Sequence, residues 1–445
     1  MTEIRSFRAL YYNPERIPEL GEVVTQPYDK ISPAMQERYY WSSPYNLARI
    51  IKGREGPGDT LQNNVYTRAA QRFQDWNQRR ILMADSEPAL YPYYQEYAVP
   101  GQPGVRKERR GFIALCRLED YAAGVVHRHE ETLAGPKQDR LQLLQATRAH
   151  FGQIFMLYSD PDGTVEAMLQ GCAASRPWEQ VTDEYGSLHI VWRVSDPAVM
   201  EAVTAAMRAK KLIIADGHHR YETALAYRHY CREQGRTDDR AEYVMVTLVR
   251  MESAGLTILP THRVVHSLPR FDWSRFADQA RPFFDWETLK LTGSGAEQSV
   301  QLAESLTQAG RERPTLGIYA DPGKSARLSL RRDVDLAGLL PDVPETLRQL
   351  DVVLLHRLLL EKVLGIDRQA VREEKNLRYV RELAGALDEV AGGRAQLCFL
   401  LNPTPIEAVR DNAFAGHVMP QKSTDFYPKL LSGLTIYGLD PPGEK

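Results

Sequence analysis

Residues 216–220 place one carboxylate, one glycine, two adjacent imidazoles and one guanidinium in five consecutive positions. Residues 211–215, which are apolar after Lys211, predict a short buried strand before them, and the residues from Tyr221 onward predict a helix. The polar group therefore lies where a helix begins, and the N–H groups and positive dipole end of that helix attract anions. Arg220 adds a planar pair of donors that suits phosphate oxygens. The sequence predicts an anion-binding turn.

The same turn also has a structural interpretation. Asp216 would then cap the helix, Gly217 would supply a permissive backbone, and His218 and His219 would be satisfied by neighbours. We favour a site, because two histidines beside an arginine are costly to leave unpaired and are suited to gripping phosphate while an imidazole supplies a proton or hydrogen bond. A metal site is disfavoured, since adjacent helix positions do not present both rings to one ion.

A second polar segment runs over residues 127–140 and precedes a predicted helix. Glu130 would act there as a general base or as a magnesium ligand. Lys137 and Arg140 would neutralise phosphate charge. The alternative is a solvated loop laced with ion pairs, which is the usual role of such a charged run.

Three short turns carry polar side chains beside predicted strands or loops. In two of them Pro-Tyr precedes Asp or Asn, and in the third a His-Arg pair follows an apolar run. Each could line a ligand, and each could equally serve turn chemistry, in which proline fixes the backbone and Asp or Asn caps it. The candidate substrate-binding residues are Tyr28, Asp29, Tyr45, Asn46, His262 and Arg263.

Residues 419–429 combine lysines, two hydroxyl groups and aromatic side chains near the carboxyl end of the sequence. Lys422 and Ser423 are the candidate phosphate ligands in this segment. The alternative is a terminal segment that is docked by its aromatic side chains, with its lysines in solvent.

The hydrophobic pattern predicts an α+β protein with two regions. Residues 1–270 form the expected phosphate-binding or nucleotide-binding catalytic region, with a mixed sheet that includes an antiparallel hairpin over 87–119. Residues 271–445 form a C-terminal region of α/β or α+β type, whose segment 419–434 would return to the site. Strands are predicted at 90–99, 111–118, 211–215, 242–249, 256–265, 315–320, 327–331 and 396–401, and helices at about 60–80, from residue 136, from Tyr221 and at 351–364.

Composition excludes several functional classes. The 56 basic and 58 acidic residues give a net charge of −2, so the basic footprint of a nucleic-acid-binding protein is missing. No stretch approaches the roughly 18 apolar residues of a membrane span, and the amino terminus lacks a signal-peptide core. No Walker glycine loop, G-x-G-x-x-G or G-x-S-x-G motif occurs. We therefore expect a cytoplasmic protein that acts on a small molecule, without nucleic-acid or membrane partners.

The polar motifs, in this order along the chain, resemble the signature series of the bacterial and archaeal family called domain of unknown function 1015. The family name implies no activity. The motifs that carry the resemblance are residues 27–29, 44–46, 129–132 with 137–141, 215–221, 259–263 and 422–429.

A shorter resemblance links residues 216–220 to the motif of the ParB and sulfiredoxin superfamily, which includes the free serine kinases. In that superfamily the Gly-x-His-Arg segment opens a helix and binds nucleotide phosphate. The resemblance therefore implies a ParB/sulfiredoxin-like N-terminal region that binds phosphate through residues 217–220. An upstream carboxylate of the serine kinases acts as base toward the substrate hydroxyl, and Glu130 and Asp29 are the two positions for it here.

The resulting expectation is a small-molecule phosphotransferase, most simply a kinase acting on free serine or a similar hydroxylated metabolite. Its phosphoryl donor would be ATP, ADP or pyrophosphate with Mg²⁺, held by Glu130 and Asp216. Lys137, Arg140 and Lys422 would offset charge on the transferred group. In reverse, or with water as acceptor, the site would dephosphorylate phosphoserine. A nucleotide-sensing or metabolite-sensing protein without turnover is the alternative from another class.

Overall fold

The computed structural model describes residues 1–131, 135–236, 239–321 and 323–440, and for residues 135 and 136 it describes the backbone alone. The chain forms two compact units. Unit 1 comprises Met1–Arg128, Thr132–Thr257 and Pro428–Lys445, and unit 2 comprises His129–Glu131 and Ile258–Tyr427. Each unit is therefore assembled from segments that are distant in sequence.

The strands are β1 Ile4–Arg5, β2 Leu10–Tyr12, β3 Leu82–Ala84, β4 Tyr91–Ala98, β5 Arg106–Arg117, β6 Val126–His127, β7 Ala149–His150, β8 Ile154–Tyr158, β9 Glu179–Thr182, β10 Leu188–Val191, β11 Leu212–Asp216, β12 Tyr243–Arg250, β13 Thr257–Leu259, β14 His262–Val265, β15 Phe284–Thr288, β16 Thr315–Asp321, β17 Lys324–Leu330, β18 Leu377–Val380, β19 Leu397–Leu400, β20 Asp425–Tyr427 and β21 Tyr437–Gly438.

The α-helices are α1 Pro33–Ser42, α2 Ala48–Ile51, α3 Val65–Gln78, α4 Gly135–Thr147, α5 Thr164–Gln170, α6 Pro197–Met207, α7 His218–Glu233, α8 Trp273–Ala280, α9 Gly295–Gly310, α10 Leu336–Leu339, α11 Glu345–Arg348, α12 Asp351–Leu354, α13 Arg368–Arg372, α14 Leu383–Ala391 and α15 Ile406–Phe414. A π-helical segment, Leu355–Val363, continues α12. The predicted helix over 351–364 is thus present, in part as a π-helix.

The main sheet of unit 1 is mixed, as predicted. Among the described residues it has the strand order β6-β11-β8-β12-β5-β4-β10-β9, with β1 paired to β5. β12 is parallel to β8 and antiparallel to β5, and β11 is antiparallel to β8. The predicted hairpin is confirmed, since β4 and β5 pair from Tyr91 with Ile113 to Ala98 with Arg106. These strands place β11, with Asp216 at its end, inside a largely buried sheet.

The sheet is central because its inner strands are apolar on both faces. All of β8 and all but the last residue of β12 are buried. A sheet covered on both sides needs near-continuous apolar runs, and both strands have them. A core of aliphatic and aromatic side chains from these strands also takes in Tyr221 and Ala224 of α7, so the sheet fixes the position of that helix.

Unit 2 contains a second sheet, with the order β15-β17-β16-β19-β14-β18. Every pairing in it is antiparallel. Since all the pairings described for this sheet are antiparallel, the C-terminal region is α+β and not α/β. The predicted strand over 256–265 is interrupted at Pro260, because proline has no N–H to donate to a neighbouring strand. In the described part of the chain no helix combines the length and the hydropathy needed to cross a bilayer.

Candidate functional site

The turn at residues 216–220 lies in unit 1, where β11 leads into α7. A register shift between Ile214 and Asp216 interrupts the pairing of β11 with β8 and redirects the end of the strand. Gly217 follows with a φ of 94°, a left-handed conformation that glycine adopts without penalty. α7 begins at His218, three residues before the predicted start. His218 therefore lies in the first helical turn.

The carboxylate of Asp216 is held by two cations of unit 1. Arg220 donates from Nη2 to Oδ2 at 2.7 Å, and Lys429 donates from Nζ to Oδ1 at 3.0 Å. Burial alone would raise the pKa of Asp216, but the charges of Lys429, Arg220 and Lys30 hold that pKa well below its usual range. Asp216 is therefore a permanent carboxylate near neutral pH.

The turn combines this charge pattern with the start of a helix. Gly217 occupies the N-cap position and has no side chain that could accept hydrogen bonds from the first turn of α7. The capping role considered for Asp216 is thus not observed. Positive charge from the helix dipole adds to that of the three cations that act on Asp216. A bound anion would be stabilised at this place.

Lys429 reaches Asp216 because two buried side chains fix its backbone. Gln95 donates from Nε2 to the carbonyl of Lys429 at 2.9 Å, and Arg109 donates to the carbonyl of Pro428. Arg109 also donates from Nε to Oε1 of Gln95 at 3.0 Å, and its guanidinium lies 4.6 Å from the ring centroid of Phe155. Phe155 is the residue that pairs with Asp216 across the sheet. The sheet thus orients both partners of this ion pair.

We expect Gln95→Met to lower the free energy of unfolding by about 1–3 kcal/mol, because it leaves buried donors and acceptors without a partner. Gln180→Met is the control, since Gln180 is exposed on strand β9 of the same sheet and should change stability by less than about 0.5 kcal/mol. Urea unfolding of both variants measures the difference. Equal effects would show that Gln95 does not fix the segment that contains Lys429.

Gly217 also gives the arginine room. A Cβ at position 217 would lie 3.0 Å from both Cζ and Nε of Arg220, whereas a Cβ at Gly124, with φ of 64°, would meet nothing within 4 Å. Gly217→Ala should cost about 1–2 kcal/mol for the left-handed backbone and should also displace Arg220 and weaken phosphate binding. Gly124→Ala also places a side chain on a left-handed backbone, but without a contact to another residue. Unfolding and phosphate titrations of both variants separate the two effects, and identical behaviour would contradict a role for the contact with Arg220.

A pocket of unit 1 lies beside Arg220. Tyr28 lines it, and the guanidinium of Arg140 lies 4.1 Å from the centroid of the Tyr28 ring. Burial lowers the pKa of His150, another lining residue, to about 4, so its imidazole is neutral near pH 7. The cavity measures about 70 Å³, several times the space of one water. The remaining wall is mainly apolar and includes Ile51, Leu143, Leu144, Phe151 and Val244.

The two basic residues predicted as phosphate ligands on α4, Lys137 and Arg140, lie in unit 1. Lys137 forms an ion pair with Glu222 on α7. Arg140 donates from Nη1 to the carbonyl of Ile51 at 2.8 Å and from Nε to Asp139 at 2.8 Å. Both cations are therefore engaged by protein groups in unit 1. Residue 132, part of the same motif, lies outside the described residues.

The first proline-tyrosine turn also lies near Asp216. Tyr28–Lys30 form one turn of 3-10 helix, in which Asp29 is exposed. Lys30 acts electrostatically on Asp216, and the charge of Arg220 acts on the hydroxyl of Tyr28. Burial raises the pKa of Tyr28 to about 12, so this hydroxyl stays protonated. Asp29 is thus a carboxylate in the same unit as the predicted anion site.

The second proline-tyrosine turn has a different environment. Asn46 is fully buried, donates from Nδ2 to the carbonyl of Glu22 at 2.7 Å, and accepts from the backbone N–H of Ala48 at 2.9 Å. The hydroxyl of Tyr45 accepts from Arg79 at 2.6 Å. These contacts are the turn chemistry that the sequence offered as the alternative. Neither residue is among the described residues that line the pocket beside Arg220.

Glu130 belongs to unit 2, where its carboxylate joins two segments of backbone. It accepts from the N–H of Lys422 at 3.1 Å and of Thr424 at 2.8 Å, and from the hydroxyl of Thr424 at 2.9 Å. Ser423 donates from its hydroxyl to the carbonyl of Pro420 at 2.5 Å. Residues 420–424 are therefore held around this carboxylate.

His262 and Arg263 are also buried in unit 2. Arg263 donates from Nη2 to the carbonyl of Lys422 at 3.0 Å, and its guanidinium lies 5.2 Å from the Tyr379 ring centroid. Burial lowers the pKa of His262 to about 4, and Nδ1 of His262 accepts from the N–H of Leu401 at 3.3 Å. The predicted site residues thus divide between units. Unit 1 contains Tyr28, Asp29, Tyr45, Asn46, Lys137, Arg140, Asp216, Gly217, His218, His219 and Arg220, and unit 2 contains Glu130, His262, Arg263, Lys422 and Ser423.

Sequence reasoning missed the cations Lys30 and Lys429 and the buried pair Gln95 and Arg109. Lys429 lies in the segment 419–429 that the sequence singled out, but nothing local indicates which carboxylate it meets. Gln95 lies on strand β4 and Arg109 on strand β5, and neither belongs to a recognisable sequence motif. Gln95 falls in the predicted strand 90–99, but Arg109 lies before the predicted strand 111–118, in what was expected to be a charged loop, so no sequence signal indicated this pair.

The family model described as "Protein of unknown function (DUF1015)" matches residues 4–353 of the chain. The chain belongs to this family. The match includes the Asp216 turn and ends before residues 419–429, so the last motif of the resemblance, residues 422–429, lies outside it. No curated protein matches the chain.

Several solved structures are similar to parts of the chain at low identity. A conserved hypothetical protein from Pyrococcus furiosus is 10% identical, with a TM-score of 0.36, over 73% of this chain and 95% of its own. A free serine kinase in complex with AMP is 12% identical, with a TM-score of 0.36, over 72% and 92%. SbnI with C-terminal truncation from Staphylococcus aureus is 10% identical, with a TM-score of 0.35, over 73% and 87%.

The metal-binding side chains of this DUF1015 protein do not form a site in which protein groups alone would coordinate a magnesium ion. Over the described ranges, no group of three or more His, Cys, Asp or Glu side chains could hold a metal ion. Both oxygens of Asp216 are engaged by cations, and both oxygens of Glu130 accept hydrogen bonds. Magnesium at such a site would have to arrive with substrate phosphates.

Proposed function

We propose that unit 1 is a small-molecule phosphotransferase that holds the phosphates of a nucleotide or pyrophosphate at the Asp216 turn. Its acceptor would be free serine or a similar hydroxylated metabolite. The observation that supports this most directly is the convergence of Lys429, Arg220 and Lys30 on one carboxylate at the start of α7. A ParB/sulfiredoxin-like arrangement of unit 1 is part of the proposal, supported by the strand, glycine and helix of this turn.

The residues of the turn would have two roles in phosphoryl transfer, one in binding phosphate and one in positioning the cations. Arg220, His218 and His219 would contact phosphate oxygens at the helix start. Asp216 would keep Arg220 and Lys429 fixed before the ligand arrives, so that little reorganisation is needed when charge develops on the transferred group. Magnesium, if it enters with the donor, would neutralise phosphate charge.

Asp29 is the better of the two carboxylates for the role of base. The oxygens of Glu130 accept three hydrogen bonds from Lys422 and Thr424, so both of them are already engaged by the protein. Asp29 is exposed on the Tyr28–Lys30 turn of the unit that contains Asp216. We assign it to accept the proton of the substrate hydroxyl.

A sensor without turnover is a second candidate. It is favoured by the hydrogen bonds that Glu130 accepts from Lys422 and Thr424, because they engage one of the two carboxylates considered as base. The residues of the turn would then bind phosphate without moving a proton. Transfer in reverse, from phosphoserine, uses the same groups and belongs to the first candidate.

The two candidates are separated by one pair of measurements on the full chain. Calorimetric titration with ATP, ADP, AMP and pyrophosphate, with and without magnesium, measures binding. Incubation of labelled ATP or pyrophosphate with serine and a panel of hydroxylated metabolites measures transfer, and labelled phosphoserine tests the reverse. Binding with transfer supports the kinase, and binding without transfer over hours supports the sensor. Absence of any binding contradicts both.

Arg220→Ala should weaken binding of the phosphate ligand at least about tenfold, because a charge-assisted pair of donors is lost. Arg232→Ala is the matched control on the same helix, since Arg232 pairs with Glu242 near the other end of α7. Its affinity should stay unchanged. Calorimetry measures both, with thermal unfolding as a check that each variant is folded. Wild-type affinity in Arg220→Ala would overturn the assignment of the turn.

A further inference from the structure

Unit 2 contains a cavity of about 180 Å³ whose residues take no part in the proposed function. One part of its wall is aliphatic and includes Val343, Leu347, Val353 and Ile366. The other part consists of arginines, carboxylates, one histidine and Gln421. An apolar wall with a few converging polar groups is typical of small-molecule sites. We therefore consider which chemistry this wall would recognise.

A π-helical segment, Leu355–Val363, forms one side of this cavity. π segments have poorer backbone geometry than α-helix and are frequent at functional sites. His356, Arg357 and Glu361 of the segment line the cavity, while four of its leucines are buried. The segment thus presents polar groups to the cavity and anchors them in the core of unit 2.

Arg357 is fixed within this wall. Its two Nη atoms each lie 2.9 Å from an oxygen of Asp342, and its Nε lies 3.0 Å from Oε2 of Glu361. Only 17% of its side chain is exposed. Both of its Nη atoms therefore pair with one carboxylate of the protein, and its Nε lies beside a second one.

Arg368 and Arg372, at the two ends of α13, are held more loosely. More than half of each side chain is exposed. Arg368 pairs with Asp342 at 2.6 Å, and Arg372 pairs with Glu131 at 3.4 Å, and both carboxylates are about half exposed. Such exposed pairs contribute little to stability. A carboxylate on a ligand could replace them at small cost.

His356 provides an inner polar atom. Its Nε2 is shielded from solvent and has no hydrogen-bond partner within the described ranges. Burial, helped by the charge of Arg263, holds the pKa of His356 well below its usual range, so the ring is neutral. A neutral imidazole nitrogen can donate or accept, depending on its tautomer. A shielded polar atom of this kind is satisfied when a ligand pairs with it.

We propose that this cavity binds a small zwitterion with an apolar side chain, which is the chemistry of a free aliphatic amino acid. Its carboxylate would meet Arg368 and Arg372. Its ammonium group would meet Asp342 and Glu361 and would donate to the neutral ring of His356. Its side chain would lie on the aliphatic wall. Because three arginines and three carboxylates line the cavity, a ligand without net charge keeps this balance.

The test is a calorimetric titration of the full chain with L-valine, L-leucine and L-methionine. Isovalerate and isobutylamine supply the two halves of valine separately. The zwitterions should bind saturably, and each half should bind at least about tenfold more weakly, because one set of charged hydrogen bonds is missing. Arg372→Ala should weaken amino-acid binding about tenfold, and Leu347→Trp, which fills the cavity, should abolish it.

Arg378→Ala is the control, since Arg378 is a half-exposed arginine of unit 2 that pairs with Glu389 away from the cavity lining. Circular dichroism checks the folding of Leu347→Trp, and the exposed change Arg372→Ala gives an answer that does not depend on that variant. Lack of saturable binding overturns the proposal, as does binding that Arg372→Ala leaves unchanged. Equal affinity for isovalerate would overturn the zwitterion assignment.

Discussion

Replacing Asp216 with asparagine should lower the free energy of unfolding by about 3 kcal/mol. The substitution removes the negative charge that Arg220 and Lys429 share at the end of β11, and it leaves both cations in a place where their side chains are only 15% and 10% exposed. An uncompensated charge in such surroundings costs more than an exposed pair contributes. Urea unfolding at pH 7 measures the change.

The pH dependence of this difference follows from the direction of the pKa shift. The pKa of Asp216 in the folded protein lies below its value of about 3.9 in an unfolded chain. Its contribution is therefore complete above pH 4 and is lost as the pH falls below that value. The gap between wild type and Asp216→Asn should stay constant from pH 8 to about pH 5 and should shrink at lower pH.

The matched control is Asp75→Asn, which breaks another i,i+4 pair with arginine in unit 1. Asp75 and Arg79 on α3 are about half exposed, so their pair should contribute no more than about 0.5 kcal/mol. If Asp216→Asn costs as little as Asp75→Asn, the Asp216 turn is not an organised charge site, and the proposed phosphate site loses its main support.

Asp29→Asn should reduce phosphoryl transfer by about 10²-fold to 10⁴-fold, because the variant can no longer accept the proton of the substrate hydroxyl. Binding of the phosphate ligand should remain unchanged, since Asp29 is not among the groups that hold Asp216. Single-turnover transfer assays and calorimetry on the same preparation separate these two effects.

Glu130→Gln is the rival variant. It disturbs the hydrogen bonds to Lys422 and Thr424, so its thermal unfolding must be measured beside its activity. Full activity in Asp29→Asn, together with a loss of transfer in a stably folded Glu130→Gln, would assign the base to Glu130. A loss in both would leave Asp29 as the base only if Glu130→Gln is also unfolded.

The Asp216 turn shows what a sequence can predict about this protein. A strand, a glycine and a helix are set by neighbours within a few residues, and residues 211–221 contain all of that information. The hairpin of β4 and β5 was predictable for the same reason. The predicted start of α7 is three residues late, because a run of polar residues in the first turn of a helix has the same sequence pattern as a loop.

The sequence could not predict which side chains and strands pair with each other in the folded protein. Lys429 and Asp216 are 213 residues apart, and Glu130 and Thr424 are 294 apart. No local pattern encodes which charges meet after folding. The C-terminal pattern of helices and strands likewise does not distinguish parallel from antiparallel pairing, and there the sheet proved antiparallel. The π-helical turn at 355–363 also has no sequence signature that separates it from an α-helix.

The assembly of unit 1 from distant segments has a consequence for protein synthesis. Residues 258–427, nearly all of unit 2, are translated after Asp216 and before Lys429. A growing chain therefore has the turn long before it has the lysine that neutralises it, and domains generally fold as they emerge. Any product that ends before residue 429 would carry a complete Asp216 turn with an incomplete set of cations. The full charge pattern of the Asp216 turn would thus form only after translation has passed Lys429.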